Sequence, residues 1–410
     1  LEEAEQRDYT ITRERLSAAL NFDWRPDPRS DYYWRTLYSD FSDDEVQLSN
    51  VYAFNADEVL ALDDNGARFA DSEIEKLNEA RKETQRILGT SVGAEHRLGI
   101  WTLDYVGGYA FAEEDNPDAL GAAFVGEGLE TGYDLSDREQ VLLFSNDAAF
   151  ADPSTYALDE IALESSFTRE RETSLAFNLR RDTVFGRAPG YWKFGAKARL
   201  RDKVGRLDAQ IYDGFGDDFT LADFAAQDVD YPLGTWGPIL SRETLRGFFD
   251  ANVGNFELNA DDSAIDSQLE DYSLDEDIFA GYLMASADIG RLRLIGGLRA
   301  ERTDYSVRGT ELRIDEQSGN GDPRIAPLSA DKQYTDLMPS LNLRYELGER
   351  TLLRAAVWRS VARPGFEQAA ARTAIEIEQD DEGNFERSAE LGNPDLDPLT
   401  ADHLDLAWEF

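Results

Sequence analysis

From Trp101 to Phe111 every second side chain is apolar or small: Trp101, Leu103, Tyr105, Gly107, Tyr109 and Phe111. Such strict alternation is the period of a strand with one apolar face, and no helix shares it. The same period recurs along the chain. It runs through Leu16, Ala18, Leu20, Phe22 and Trp24, and through Tyr32, Trp34, Thr36 and Tyr38. It returns in Leu175, Phe177 and Leu179 and in Trp192, Phe194, Ala196, Ala198 and Leu200. The last third repeats it in Ile278, Ala280, Tyr282 and Met284, then in Leu292, Leu294, Gly296, Leu298 and Ala300. The chain closes on Leu404, Leu406, Trp408 and Phe410.

The connections constrain the fold further. Tight turns near residues 27, 98, 188, 290 and 348 alternate with long polar segments near 42–79, 113–165 and 212–270, and a shorter one near 309–330. Within the first of these, Asp71 to Ala80 is expected to form a short helix. Alternating short and long connections are the rhythm of an outer-membrane barrel, with short periplasmic turns and long extracellular loops. A soluble sandwich has no reason for it. The expected fold is all-β: an antiparallel, up-and-down transmembrane β-barrel of about eleven strands over residues 1–410, seated in the outer membrane of a Gram-negative cell with lipid around it.

Composition excludes competing classes. Net charge is -42, and nucleic-acid binding requires a basic footprint instead. Cysteine is absent, so there is no disulfide framework and no thiolate metal site. No apolar run approaches the ~18 residues of a membrane helix, while β spans need only about ten alternating residues each.

Three stretches in the last eighty residues resemble one family. They are the Leu337–Tyr345 strand, the Leu353–Pro364 strand ending Ala-Arg-Pro, and Gly392-Asn-Pro-Asp-Leu-Asp-Pro398 followed by Thr400-Ala-Asp-His-Leu-Asp-Leu. The Leu179–Lys203 hairpin and the Arg291–Arg299 strand carry the same likeness. All resemble TonB-dependent outer-membrane receptors, in a subgroup often linked to carbohydrate uptake. The resemblance implies a barrel of about 22 strands closed by an N-terminal plug, importing a scarce oligosaccharide or a ferric siderophore or cobalamin-type chelate. Energy would come from the inner-membrane TonB complex, which grips a segment ahead of the plug. No plug-like or coupling segment and about half the strands are found here, so the chain is expected to be a piece of a longer receptor. The alternatives are a passive porin or surface-adhesion barrel, and a soluble acidic all-β enzyme or binding module.

No catalytic, cofactor or metal constellation is expected. Gly89-Thr-Ser-Val-Gly93 matches a nucleophile pattern, but Ser91 sits inside an alternating strand where the pattern needs a strand-to-helix elbow. His96 and His403 are too far apart in sequence to imply a shared metal, and Asp63-Asp-Asn-Gly66 and Asp380-Asp-Glu-Gly-Asn384 lack full calcium-loop spacing. Substrate contacts are expected from the third long loop, at Asp228, Asp230, Tyr231, Trp236, Phe248 and Phe249, whose rings and acids suit sugars or aromatic chelators. Lys193, Lys197, Arg199, Arg201, Arg293 and Arg299 are expected to line the lumen.

Overall fold

The computed structural model describes residues 2–410 except 138–140, 216–218, 225–226, 229–230, 232–234, 241, 316–319, 366–367, 370 and 380–384. Eleven strands pair in sequence order into one antiparallel sheet. They are β1 (Glu3–Asp27), β2 (Ser30–Ala53), β3 (Gly66–Leu98), β4 (Trp101–Asp134), β5 (Ala157–Phe185), β6 (Ala188–Gly214), β7 (Tyr272–Ile289), β8 (Leu292–Asp315), β9 (Asn320–Glu346), β10 (Leu352–Ala362) and β11 (Leu399–Glu409). Shorter strands pair onto this path, and two helices, α1 (Arg242–Asn252) and α2 (Ala260–Glu270), lie between β6 and β7. Among the described residues β1 and β11 are not paired with each other.

Glycine sets the short turns. Gly99, Gly186 and Gly290 are each the first of two turn residues and hold φ of 68°, 67° and 62°. A two-residue turn with glycine first and φ positive matches the right-handed twist of the strands it joins.

Register fixes the two faces. Phe22 pairs with Trp34, Trp34 with Val92, Val92 with Gly107 and Gly107 with Leu175. On the other side of the sheet's middle, Phe194 pairs with Leu283, Leu283 with Leu298, and Leu298 with Pro339. Leu341, Val357 and Leu404 complete the row. Val92 is 60% exposed, Leu175 63% and Leu404 67%. A continuous exposed band of large apolar side chains is uncommon on a protein bathed in water and is what a barrel presents to lipid.

One face differs from expectation. In β7 the outward residues are Phe279, Leu283 and Ile289, while Ile278, Ala280, Tyr282 and Met284 face inward. The ladder decides this, because Ala280 pairs with Lys197 and Met284 with Lys193. Both faces of β7 are apolar, so alternation alone chose the wrong one.

The first two long polar segments are also mostly strand. β3 has 33 residues and β4 has 34, whereas a tilted span needs about 9–11. The wall therefore continues far beyond the membrane at the end of the long connections. Asp71 to Ala80 lies within β3 and is not a helix, since residues 73–80 pair without a break against β2. The stretch near 309–330 likewise continues β8 and β9.

α2 protects a strand edge. β6 loses its β7 neighbour beyond Gly205, and three amides there face the helix. Leu207 N donates to Asp271 Oδ1 (3.2 Å), Ala209 N to Ser267 Oγ (2.9 Å) and Ile211 N to Ser263 Oγ (2.9 Å). Four residues of helix rise about 6 Å and two residues of strand about 6.7 Å, so the spacings match. Asn259 caps the helix by accepting from Asp262 N at 3.1 Å. Replacing Ser263 and Ser267 by alanine is expected to cost about 1–3 kcal/mol per orphaned amide. Amide hydrogen exchange at Ala209 and Ile211 should accelerate while the belt strands stay protected.

Candidate functional site

The face opposite the apolar band carries the charges. Lys193, Lys197, Arg199, Arg201, Arg293 and Arg299 all lie on it, by the pairing of β6 with β5 and of β7 with β8. Most are matched to acids. Arg199 Nη2 lies 2.6 Å from Glu172 Oε2, Arg201 Nη2 2.5 Å from Glu276 Oε2, and Lys193 Nζ 3.7 Å from Asp104 Oδ2. Arg293 pairs with Asp288 at 2.6 Å, and Arg299 with Glu301 at 2.6 Å. Arg363 reaches the other oxygen of Glu301, also at 2.6 Å. Lys197 has no carboxylate partner among the described residues. The Arg199–Glu172, Arg201–Glu276 and Arg293–Asp288 pairs join neighbouring strands and help hold the ladder in register.

Glycine notches on this face receive aromatic rings. A Cβ on Gly195 would come within 2.7 Å of Tyr282 Cε1, and one on Gly205 within 2.4 Å of Tyr272 Cε1. Each tyrosine lies across its glycine. Tyr282 Oη also donates to Asn178 Oδ1 at 2.7 Å, and Asn178 Nδ2 donates to Asp104 Oδ1 at 2.5 Å. Ser91 lies on the same face, near Gly108. His96 instead packs between Tyr32 and Tyr105, at ring distances of 5.3 and 5.8 Å, close to a short turn. His403 stacks on Trp358 at 4.7 Å. Asp63 Oδ1 accepts from its own loop's amides, Asn65 N at 2.7 Å and Gly66 N at 3.0 Å.

Beyond the membrane the inner face deepens into a cavity of about 790 Å³. Its floor crosses β3 to β8, through residues such as Gln85, Glu114, Glu170, Lys203, Tyr272 and Val307. Its roof is the end of α2 and the segment around Ala371, Arg372 and Gly392. Sequence reasoning did not find these residues. Most stand in segments without apolar alternation, and only the pairing of six strands brings them together.

The part of the third long connection around Trp236 to Phe249 lies on the opposite face. The β2–β3 ladder is unbroken from Ser30 to Ala53, so Asn50 and Tyr52 share the face of Trp34. On this face Tyr52, Ile74, Phe124 and Ile161 form a core with Leu240, Leu245 and Phe249. Trp236 is 1% exposed and Phe249 4%, and Phe248 is half-buried against that core. Tyr231 meets Trp236 edge-on at 4.8 Å. A polar latch lies beneath: Asn50 Nδ2 and Lys76 Nζ both donate to the Trp236 carbonyl, at 2.9 and 3.0 Å, and Asn78 Nδ2 donates to that of Leu240 at 2.7 Å. Lys76 Nζ also sits 4.7 Å from the Tyr156 ring centre. Of the expected substrate-contact aromatics, Phe249 belongs to this core and Phe248 packs against it, while Tyr231 and Trp236 pair with each other. Asp228 is described in its backbone only, and Asp230 and Asp380 to Asn384 lie outside the described residues.

An acidic rim surrounds the far end of the inner face. Burial, then Glu79 and Asp266, push the Glu164 carboxyl above the ordinary range. Burial, then Asp159, Asp266, Asp262 and Asp213, do the same to Glu160. Burial, then Asp262 and Glu270, raise Asp266. These groups stand some twenty residues from the short turns, outside a span of about 9–11 residues. A carboxyl raised by folding destabilises the fold when ionised, and that penalty fades as pH falls through the raised value. The rim is therefore expected to gain stability as pH falls through the raised values and to gain no more once the unfolded carboxyls also protonate, near about pH 4. Hydrogen exchange of residues 157–166 and 260–270, corrected for intrinsic rate, checks this.

Residues 247–410 match the outer membrane protein beta-barrel family. A comparison with curated proteins finds no match. Among solved structures the chain is similar to the ferric-catecholate import receptor Fiu of E. coli K12 in its closed form. Identity is 10% and the TM-score 0.33, over 98% of this chain and 62% of that one. It is also similar to the ferric citrate transporter FecA in the unliganded form, at 10% identity and a TM-score of 0.28, over 85% of this chain and 44% of that one. The chain spans less than two thirds of the length of either. The family match over residues 247–410, eleven up-and-down strands joined by alternating short and long connections, and a continuous apolar band on one face identify the chain as a β-barrel protein of the outer membrane.

Proposed function

We propose that this chain is barrel wall from a TonB-dependent receptor that binds a scarce oligosaccharide or metal chelate and imports it with energy from the inner-membrane TonB complex. The observation that carries the reading is the roofed cavity on the inner face. A passive pore is served by an unobstructed lumen, whereas a receptor needs a recess that surrounds its ligand. The paired charges below the cavity hold the wall in register, and the long strands carry the recess well outside the bilayer. The Gly392–Pro398 stretch, part of the resemblance to such receptors, reaches the roof through Gly392.

The role has no covalent step. The wall binds and orients, and the energy that releases the ligand comes from the coupling complex. Uptake of labelled ligand by cells carrying the full-length receptor tests it. Uptake should fall to background when the TonB complex is deleted or the proton gradient collapsed. Uptake that persists unchanged would identify a passive pore.

A further inference from the structure

We propose that the short strand Val59–Leu62, at the far tip of the β2–β3 connection, is an open docking edge for an extended peptide segment of an extracellular partner, apolar at its centre and basic on both flanks. This surface stands apart from the inner-face cavity, and the inference does not depend on what the protein imports. The strand pairs on one side only, with Ala67, Arg68 and Phe69 of β3. Among the described residues no strand lies on its other side. It sits roughly twenty residues along β3 from Val92 in the apolar band, well outside a span of about 9–11 residues.

The ladder shows where the backbone of this edge points. Asp63 N donates to Gly66 O at 3.0 Å, which makes Leu62 and Ala67 the adjacent, non-hydrogen-bonded pair. The N–H and C=O of Leu62 are therefore turned away from β3, toward the open side. A bulge between Val59 and Ala61 leaves Leu60 with no residue opposite it in β3. The side chains are apolar and poorly covered: Val59 is 47% exposed, Leu60 49% and Leu62 72%. Edge strands are usually blunted by lysine, proline, a bulge or a covering element. Here the bulge is the only such device among the described residues.

Charge selects the occupant. Asp57 and Glu58 precede the strand and Asp63 and Asp64 follow it, and all four are exposed. Arg68, the base across the ladder from Ala61, is committed to Glu130 at 2.8 Å. Antiparallel pairing of two copies of this strand would set Asp57 and Glu58 of one against Asp63 and Asp64 of the other. Like charges directly opposite destabilise a sheet, so a second copy fits poorly. A segment with lysine or arginine on each side of an apolar centre meets acids at both ends, whichever way it runs. Main-chain bonds along the edge supply affinity, and the exposed Leu60 and Leu62 side chains favour an apolar centre. The net charge of -42 draws such a segment in from a distance.

The test is fluorescence anisotropy of the full-length protein in detergent with three labelled peptides: KKVTVTVKK, its acid-flanked twin EEVTVTVEE, and KKVPVPVKK, which keeps the charge but cannot complete a ladder. The first should bind and the other two should not. Leu62→Pro removes the outward N–H at a place where an edge strand tolerates proline, and should weaken binding about tenfold. Joint replacement Asp57→Lys with Asp64→Lys should abolish the preference for basic over acidic flanks, while moving the net charge of these 410 residues only from -42 to -38. Unchanged heat-modifiable gel mobility reports that both variants fold. The inference is overturned if KKVTVTVKK does not bind, if KKVPVPVKK binds equally well, or if both variants behave as the parent protein. Slow amide hydrogen exchange at Leu62 in the peptide-free full-length protein would also overturn it, because the edge would then be occupied by the protein's own chain or by a second copy.

Discussion

Replacing Leu283 by arginine is expected to destabilise the barrel by about 2–4 kcal/mol, the cost of a charge near the bilayer midplane on the lipid face. Replacing its neighbour Met284 is expected to cost under about 1 kcal/mol. The two residues are adjacent, similar in size and both apolar, so only the face they occupy separates them. Leu283 lies between Phe194 and Leu298 in the exposed band, and Met284 between Lys193 and Gly297 on the charged face. Denaturant unfolding in lipid vesicles, followed by heat-modifiable mobility, measures both. The opposite ranking would mean that β7 is displaced by one residue, which moves every side chain to the other face.

Replacing Trp236 by alanine is expected to release the third long connection from the wall. The indole is buried among the latch and its neighbours, and truncating a buried aromatic of this size costs about 3–5 kcal/mol. The backbone at Trp236 is held by Asn50 and Lys76, so lost packing should loosen those bonds as well. Trypsin cleavage after Arg246 should accelerate, while Tyr231→Ala, at a half-buried ring, should change it far less. The belt strands should keep their protection, because the latch lies beyond the membrane. Equal loss of protection everywhere would show that the outer core and the membrane wall unfold as one unit.

The membrane part of this fold was legible because lipid demands a one-sided pattern. Trp101 to Phe111 alternates strictly because one face meets lipid and the other does not. The turns were legible because Gly99, Gly186 and Gly290 occupy a conformation that favours glycine. Legibility failed where the constraint changed. β7 has Phe279 and Leu283 on one face and Ile278 and Met284 on the other, so its period was plain and its orientation was not. Above the membrane, Asp43, Asp44 and Glu45 carry no apolar alternation, and the sequence there reads as loop although it pairs residue by residue with β3.

The candidate sites divide in the same way. The six cations were placed together from the alternation of β6 and β8 alone. The latch had no local signal: Asn50, Lys76 and Asn78 are ordinary polar residues in sequence, and they matter because the ladder aligns them under a segment 160 to 186 residues away. The inner-face cavity was invisible for a related reason, since its floor draws one to three residues from each of six strands.

These 410 residues hold no cysteine, so a thiol label introduced here meets no competing thiol within this stretch. Single cysteines placed one at a time from Phe279 to Ile289 in the full-length protein, labelled with an environment-sensitive fluorophore and reconstituted into vesicles, report which positions meet lipid. A lipid-borne quencher should act on labels at 279, 281, 283, 285 and 287, and an aqueous quencher on those at 280, 282, 284 and 286. A uniform response along the strand, or quenching only from water, would contradict a membrane-spanning wall.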